Sequence, residues 1–312
     1  MSKKILITDE VHPLLIEGLR QLGFTVDYKP AITPAGVLDI IDGYEGLVVN
    51  SKVYVGREML DKATKLKFMC RAGSGLEVFD LEYARKKGVE VFNSPEGNRN
   101  AVAEFALGAL LGLMRNIPKA NTEVHNYEWL REPNRGHELS GKTIGLIAFG
   151  NTAQAFAKLL RGFDVNILAY DKYYRGFTDK YVSEASLTDI YIEADILSLH
   201  LPLTPETTYM IEEEFLGSFQ KPYWLINTSR GKVLQISALL KAIEEGKILG
   251  AALDVLENEK LAQLSETEKA VFNQLLAENR VILSPHIAGW THESKKRIAE
   301  VLLHKVKVLY AA

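Results

Sequence analysis

The sequence predicts an α/β protein built from two doubly wound domains. Short β-branched runs alternate with amphipathic segments from end to end, a pattern typical of helices packed on mostly parallel sheets. A chain of 312 residues also exceeds the usual size of one core, so two domains are expected. We place the first domain at residues 1–98 and 291–312, and the second at residues 99–290.

Five short apolar runs, separated by segments with helical periodicity, predict the first domain. The predicted strands are Lys4–Thr8, Thr25–Tyr28, Gly46–Asn50, Leu66–Cys70 and Val89–Phe92. The predicted helices are Pro13–Leu22, Pro34–Ile41, Arg57–Ala63 and Leu81–Lys87. A last helix, His292–Tyr310, is expected to pack back on this domain through its apolar residues Ile298, Val301, Leu302 and Val306.

The second domain begins with an apolar helix and continues as a βα series. Residues Ala101–Arg115 are apolar on nearly all sides, so we expect this helix to be buried between layers or in the interface of a homodimer. Residues Asn116–Ser140 are polar without a clear period and predict a crossing or arm segment. Six strands follow, as in the doubly wound dinucleotide fold: Thr143–Ala148, Val165–Ala169, Asp195–Leu199, Trp224–Asn227, Gly250–Val255 and Val281–Leu283.

Composition excludes several classes of function. No apolar tract is long enough to span a bilayer. A net charge of −3 with mixed signs offers no basic stripe for nucleic acid. The single cysteine, Cys70, cannot form an internal disulfide, and the N-terminal residues lack the apolar core of a secretory signal. We therefore expect a cytoplasmic protein that acts on small molecules, with no nucleic-acid, membrane or metal partner.

The first turn of the second domain is a candidate dinucleotide site. In an open parallel sheet, ligands bind outside the carboxyl ends of the strands. Residues Ala148–Ala153 occupy the place of the G-x-G-x-x-G fingerprint, but Gly150 is the only glycine of the three that is kept. Alanine is a known substitute at the third position, whereas Ala148 at the first is less usual. By itself, this turn also fits an ordinary strand–turn–helix corner.

Asp171 strengthens the dinucleotide interpretation. It follows the second strand about 20 residues after the turn, where a carboxylate binds a ribose hydroxyl and repels a 2′-phosphate. We therefore predict NAD rather than NADP as the cofactor. The neighbouring Lys172 is a cation that could accommodate a phosphate, so the strength of this preference stays open.

Three further strand ends carry residues suited to carbonyl reduction. His286 can deliver a proton to oxygen as hydride reaches carbon, and a carboxylate from Glu257 or Glu259 would orient its imidazole. Arg230 can hold a substrate carboxylate with its planar guanidinium. Taken singly, these residues also fit a packed histidine, a solvated acidic turn and a surface arginine. Together they predict a 2-oxo or 2-hydroxy acid as substrate.

The motifs together resemble the D-isomer-specific 2-hydroxyacid dehydrogenase family, in its phosphoglycerate dehydrogenase-like branch without a C-terminal regulatory domain. The resemblance runs through essentially the whole chain. It rests on RAGSGLE (71–77), NSPEGN (93–98) with AVAE (101–104), the turn at 141–171, LHLPLTPET (199–207), LINTSRGKV (225–233), GAALDVLENE (250–259) and SPHIAGW (284–290). It implies a flavodoxin-like substrate domain with an inserted Rossmann domain that binds NAD and forms a dimer.

The resemblance also implies roles for the matching residues. Arg230, Glu259 and His286 would be catalytic, with the glutamate as partner of the histidine. The loop Arg71–Leu76 would bind the substrate carboxylate, with Ser74 and Gly75 as its chosen contacts. The residues implied in cofactor binding are Gly150, Asn151, Thr152, Asp171, His200, Pro202, Thr207, Thr228, Ser229, Arg230, Asp254, His286, Ala288 and Gly289.

Some features depart from the family pattern and leave the substrate open. Asn151 stands where many relatives have arginine, and Lys260 replaces the proline that commonly follows the catalytic glutamate. The substrate could be 3-phosphoglycerate, which would need a second cationic site such as Arg71 or Lys52, or it could be glyoxylate or hydroxypyruvate. A non-catalytic protein that senses NAD(H) with the same fold would keep every motif.

Overall fold

The computed structural model describes residues 3–311, which divide into two compact units. The first unit consists of the residues up to Arg99 together with those from Trp290 onward, and the second consists of Asn100–Gly289. Each unit contains one parallel sheet with helices between its strands. The predicted α/β class is confirmed.

The sheet of the first unit has five strands in the order β2-β1-β3-β4-β5, which is the flavodoxin-like order. Its strands are β1 (Lys4–Ile7), β2 (Thr25–Tyr28), β3 (Gly46–Val49), β4 (Phe68–Arg71) and β5 (Glu90–Phe92). Its helices are α1 (Pro13–Gln21), α2 (Pro34–Ile40), α3 (Arg57–Lys62), α4 (Leu81–Lys86) and the last helix of the chain, α12 (His292–Ala311).

The starts of α1 and α2 show why the sequence forms helices at these points. Each helix begins with a proline, whose missing N–H and fixed φ suit the first helical position. The preceding residues act as N-caps: His12 Nδ1 accepts a hydrogen bond from the backbone N–H of Leu14, and Thr33 Oγ1 accepts one from Gly36.

Helix α12 packs on the first unit, as predicted. Its buried residues Ala299, Leu302 and Val306 lie in one core with Leu15 and Leu19 of α1. The crossing is close, because a Cβ added at Gly18 would lie 2.5 Å from a methyl carbon of Leu303. Val301, which was also expected in the packed stripe, is only half-buried.

The sheet of the second unit has seven strands in the order β12-β11-β10-β9-β6-β7-β8. Counted from the first strand of the unit, this is the dinucleotide-fold order 3-2-1-4-5-6 with a seventh strand added at one edge. The strands are β6 (Thr143–Ile147), β7 (Asn166–Tyr170), β8 (Ser183–Glu184), β9 (Ile196–Leu199), β10 (Tyr223–Asn227), β11 (Ile248–Leu253) and β12 (Val281–Leu283). The helices are α5 (Pro95–Met114), which begins before the unit boundary, α6 (Ile117–His125), α7 (Asn151–Leu160), α8 (Leu187–Glu193), α9 (Glu213–Gly217), α10 (Ile236–Glu244) and α11 (Glu266–Ala277).

Two elements add to the sequence prediction. Part of the segment predicted as a crossing or arm forms the helix α6, and proline in its first turn, Pro118, was the available signal. Strand β8 raises the predicted six strands to seven. It has two residues, Ser183 and Glu184, which are too few to show a period.

No single helix in residues 3–311 is long and apolar enough to cross a membrane. Helices α5 and α6, bent by 62° at their junction, reach that length and composition only as a pair. In the structure, Ala106, Leu110 and Met114 of α5 are buried in the core that includes Ile144 and Leu146 of the sheet.

Candidate functional site

The carboxyl ends of β6, β7, β9, β10, β11 and β12 share one edge of the sheet, because every strand pairs in parallel. We call this the site edge. The turns that leave it carry nearly all the polar residues singled out from the sequence in the second unit. They comprise residues 148–152, 171–174, 200–207, 228–231, 254–259 and 284–289.

The turn after β6 leads into α7 with room for a ligand. Helix α7 begins with Asn151 and Thr152, and Gly150 is its N-cap residue. Because glycine has no side chain, it makes no capping hydrogen bond to the first N–H groups of the helix. Apart from its chain neighbours, a Cβ added at Gly150 would meet no atom of residues 3–311 within 4 Å. Ala148 has φ +68°, a left-handed conformation that favours the glycine of the fingerprint. The backbone of the turn therefore keeps the conformation of the fingerprint, although position 148 is alanine rather than glycine.

Asp171 follows β7 and holds the neighbouring backbone. Its Oδ2 accepts a hydrogen bond from Phe149 N–H at 2.8 Å, and its Oδ1 accepts bonds from Tyr173 and Tyr174 N–H at 2.9 Å. Burial opposes ionisation of this carboxyl. The three N–H groups and the charge of Arg175 outweigh burial, so the pKa of Asp171 lies below its usual range.

Lys172, the cation that left the cofactor preference open, is paired with a carboxylate. Its ammonium contacts Glu206 Oε1, and Glu206 Oε2 accepts a hydrogen bond from the Tyr173 hydroxyl at 2.5 Å. Glu206 was not singled out from the sequence, because nothing local indicates that it meets a residue 34 positions away. The pair leaves Lys172 less suited to receive a phosphate.

The turn after β9 is fixed by its own hydroxyl groups. Thr207 Oγ1 donates to Pro202 O at 2.6 Å and accepts from Thr204 N–H at 2.9 Å. The imidazole of His200 is buried between the hydroxyl groups of Ser198 and Thr152. His200, Pro202 and Thr207, all predicted site residues, thus lie along one turn that is held by internal hydrogen bonds.

Asn227 organises the turn that carries Arg230. Its Oδ1 accepts hydrogen bonds from the backbone N–H and the hydroxyl of Ser229, and its Nδ2 donates to Arg230 O at 3.1 Å. Asn227 is fully buried, and the sequence predicts for it only the end of a strand. The buried hydroxyl of Thr228 has no hydrogen-bond partner among the described residues. Such an orphaned group at the site edge points to a ligand that would satisfy it.

Gly231 brings this turn against the loop that follows β11. A Cβ added at Gly231 would lie 1.8 Å from Leu256 O and 2.7 Å from Glu257 N. These are backbone atoms that cannot move aside, so any larger residue would separate the two segments. Arg230 is therefore held beside the loop that carries the two candidate glutamates.

Asp254 fixes the loop that carries His286. It is 1% exposed, and its carboxylate accepts hydrogen bonds from Ile287 N–H, Ala288 N–H and the Ser284 hydroxyl at 2.9, 2.7 and 2.6 Å. His286 itself adopts φ +56°, a strained conformation for a non-glycine residue. The sequence suggested Asp254 as a cofactor contact. In the structure its carboxylate acts on the 284–288 loop.

His286 and Glu259 form the central contact of the site edge. Nδ1 of the imidazole lies 3.0 Å from each oxygen of the Glu259 carboxylate. Because a carboxylate accepts, Nδ1 carries the proton, and Nε2 remains for chemistry with a substrate. Glu257, the alternative partner, instead accepts a hydrogen bond from Ile236 N–H at the start of α10. Burial raises the pKa of Glu257.

The predicted substrate loop belongs to the first unit. Ser74 donates its hydroxyl hydrogen to Asn98 Oδ1 at 2.7 Å, and its carbonyl accepts from Asn93 Nδ2 at 2.7 Å, so the loop containing Ser74 and Gly75 is anchored. Arg71, at the end of β4, contacts Asn50 Oδ1. Lys52, the second candidate cation for a phosphate, donates to the carbonyl oxygens of Thr8 and Pro30 at 2.5 and 2.7 Å.

The site edge combines an open helix N-terminus, a carboxylate after β7, an arginine and a histidine–glutamate pair. Residues 107–288 match the family model described as "D-isomer specific 2-hydroxyacid dehydrogenase, NAD binding domain". The chain belongs to this family. The match confirms the family predicted from the motifs and the dinucleotide-binding character of the second unit.

Named members of the family are similar to this chain over nearly its full length. A D-3-phosphoglycerate dehydrogenase of Methanocaldococcus jannaschii is 35% identical over 97% of this chain, although that match covers only 57% of the relative. A glyoxylate reductase of Thermococcus litoralis is 34% identical over 97% of this chain and 92% of its own length. The chain thus spans about half the length of the phosphoglycerate dehydrogenases it matches.

Solved structures of the family share the fold. A D-lactate dehydrogenase from Aquifex aeolicus, determined with NAD and lactic acid, is 28% identical, with a TM-score of 0.85 over 99% of this chain and 96% of that one. The residues of the present chain fit a dinucleotide. The open space at Gly150 leaves room for the pyrophosphate, and the ionised Asp171 can accept a hydrogen bond from a ribose hydroxyl. The Thr228 hydroxyl, which has no partner among the described residues, can bond to a ligand.

Proposed function

We propose that this chain is an NAD-dependent dehydrogenase that interconverts a small D-2-hydroxy acid and its 2-oxo acid. The observation that carries the proposal is the contact between His286 Nδ1 and both oxygens of Glu259, at the carboxyl end of β12. The pair leaves Nε2 of the imidazole as the proton donor or acceptor. Such a group is needed when a carbonyl becomes a hydroxyl.

The three catalytic residues have separate tasks in this proposal. His286 gives a proton to the carbonyl oxygen in reduction and takes it back in oxidation, while Glu259 holds the ring orientation and stabilises the imidazolium. Arg230 binds the substrate carboxylate and polarises the adjacent carbonyl. NAD, when bound, supplies or accepts the hydride.

The remaining predicted residues keep their cofactor and substrate roles as part of the proposal. Gly150, Asn151 and Thr152 would bind the pyrophosphate, and Asp171 would bind the adenosine ribose. Asp254 would act through the loop it holds, which includes Ala288 and Gly289. The pairing of Lys172 with Glu206 supports a preference for NAD over NADP.

The hydrogen bonds of the Lys52 ammonium help to decide whether the substrate is phosphorylated. Two carbonyl oxygens of the first unit already receive its hydrogen bonds, which makes Lys52 a poor phosphate ligand. These hydrogen bonds favour a small unphosphorylated 2-oxo acid, such as glyoxylate or hydroxypyruvate, over 3-phosphoglycerate.

We also propose that the protein is a homodimer. Large apolar side chains are exposed along the segment that contains α6, including Ile117, Val124, Tyr127 and Trp129, with Tyr127 fully exposed. A monomer rarely presents such a row to water, so a second copy is the expected cover. A cytoplasmic location remains the expectation from the single buried cysteine, Cys70.

A substrate panel tests the proposed function. Purified protein is assayed with NADH and NADPH against glyoxylate, hydroxypyruvate, pyruvate and phosphohydroxypyruvate, and with NAD against 3-phosphoglycerate in the oxidative direction. We expect the highest kcat/KM for NADH with an unphosphorylated acid. Binding of NADH without turnover of any acid would instead favour the NAD(H)-sensing alternative.

A further inference from the structure

A buried chain of three side chains links the middle of the sheet to the start of α7. Ser198 Oγ, on β9, lies 3.0 Å from His200 Nε2, and His200 Nδ1 lies 3.1 Å from Thr152 Oγ1. Ser198 is fully buried and His200 is 9% exposed. Thr152 is the second residue of α7 and is partly exposed.

The two hydrogen bonds can run in either of two directions. In one, Ser198 donates to Nε2, and the proton on Nδ1 is donated to Thr152. In the other, Thr152 donates to Nδ1, and the proton on Nε2 is donated to Ser198. A neutral imidazole carries only one ring proton, so no other arrangement satisfies both contacts with neutral histidine.

Burial decides between the two directions. Among the described residues, the Ser198 hydroxyl has no hydrogen-bond partner other than His200. If Nε2 were the donor, the serine hydrogen would be buried without an acceptor, which is costly. Burial also lowers the pKa of His200 to about 3, so the doubly protonated ring is excluded near neutral pH.

The favoured direction has a consequence for the Thr152 hydroxyl. It accepts the hydrogen bond from His200 Nδ1–H and therefore keeps its own hydrogen for another acceptor. That hydrogen meets no acceptor among the described residues, at the N-terminus of α7 where the proposed function places the pyrophosphate.

We propose that Ser198 is a positioning residue that sets the His200 tautomer, so that the Thr152 hydroxyl donates its hydrogen bond to the pyrophosphate of NAD. This inference rests on the proposed function for its ligand, but the direction of the relay is a property of the protein alone. Ser198 touches no cofactor and acts only through His200.

The tautomer is measured directly by NMR. Protein labelled with ¹⁵N-histidine gives two-bond ¹H–¹⁵N correlations whose pattern distinguishes Nδ1–H from Nε2–H, and the His200 signals are those lost in His200→Gln. We expect the Nδ1–H pattern between pH 6 and 8 without cofactor. The Nε2–H pattern would overturn the inference whether or not the protein binds NADH.

Cofactor titrations test the consequence. Ser198→Ala should let both tautomers form and weaken NADH binding by about three- to tenfold, while Thr152→Val should weaken it by about tenfold or more. In the Thr152→Val background, Ser198→Ala should add less than about twofold, because its effect passes through the hydroxyl. In Thr152→Ser, which keeps the hydroxyl, the effect of Ser198→Ala should persist.

Two results would contradict the coupling. An equal loss from Ser198→Ala in the wild-type and Thr152→Val backgrounds would show that the serine acts by packing alone. Unchanged NADH affinity in Ser198→Ala would show that the tautomer does not matter for binding. A wild-type protein that fails to bind NADH would instead overturn the proposed function, and it would be recognised before any variant is compared.

Discussion

Two regions at one edge of the same sheet are built in different ways. The turns proposed to bind the cofactor, residues 148–152 and 171–174, are called the cofactor turns; they keep the backbone shape of the fingerprint and leave open space at Gly150. The loops proposed to be catalytic, residues 228–231, 254–259 and 284–288, are called the catalytic loops. The first two meet backbone against backbone at Gly231, and the buried Asp254 holds the third. Substitutions in the first region should therefore change affinity, whereas those in the second should disturb the fold or the chemistry.

Alanine substitutions at Gly231 and Gly150 test this difference, and the loss of stability at Gly231 is the largest effect that we expect. Gly231→Ala should destabilise the protein by more than about 3 kcal/mol or prevent folding, because its Cβ would overlap Leu256 O. Gly150→Ala, whose Cβ has open space among the described residues, should cost less than about 1 kcal/mol and mainly weaken NADH binding. Urea unfolding of both variants gives the comparison. Equal stability losses would contradict it.

Acid should destabilise the protein through His200, whose Nδ1 lies 3.1 Å from Thr152 Oγ1 in the cofactor turns. Burial lowers the pKa of His200 to about 3 in the folded state, whereas the unfolded chain binds a proton below about pH 6.5. The unfolded state therefore holds more protons between these values, and stability falls as the pH falls, by up to about 1.4 kcal/mol per unit. His200→Gln should remove this contribution from unfolding curves at pH 4 to 6. The exposed His125→Gln serves as control, and an identical pH dependence in wild type and His200→Gln would refute the assignment.

The two glutamates of the catalytic loops differ by two positions and should differ in function. Glu259→Gln removes the carboxylate at 3.0 Å from His286 Nδ1 and should lower kcat/KM for reduction by roughly 10- to 100-fold. Glu257→Gln is the matched control, since Glu257 faces Ile236 N–H, and it should stay within about twofold of wild type. The reverse order of effects would place the partner of His286 at Glu257.

Asp171 should have the smallest effect and should alter selectivity rather than rate. Asp171→Asn removes the negative charge that would repel a 2′-phosphate and keeps an amide oxygen that can accept from the Tyr173 and Tyr174 N–H groups, so the ratio of kcat/KM for NADH over NADPH should fall by about tenfold. Glu206→Gln, which releases Lys172 from its partner, should shift the ratio in the same direction but by less. Equal use of the two cofactors by wild type would show that Lys172 already overrides Asp171.

The strands and most helices were predictable because their periods are local properties of the sequence. Predicted and observed strand ends agree within about two residues, and the misses are the two-residue β8 and the weakly patterned α6. The roles of Asn227, Asp254 and Ser198 were not predictable. They depend on hydrogen bonds to groups that folding brings together, and residue type alone does not reveal these partners. Residue type alone left Glu257 and Glu259 open as partners of His286, and only the family motif favoured Glu259, whose carboxylate lies 3.0 Å from His286 Nδ1 in the structure.

The reductive activity of His286→Asn tests the central claim most directly. The variant keeps a side chain that can hydrogen-bond but cannot supply the proton, so the fold and NADH binding should be retained. Its kcat/KM for the best 2-oxo acid should fall on the order of 10²- to 10⁴-fold at pH 7. Turnover close to wild type, with NADH affinity unchanged, would remove His286 from the reaction and contradict the account.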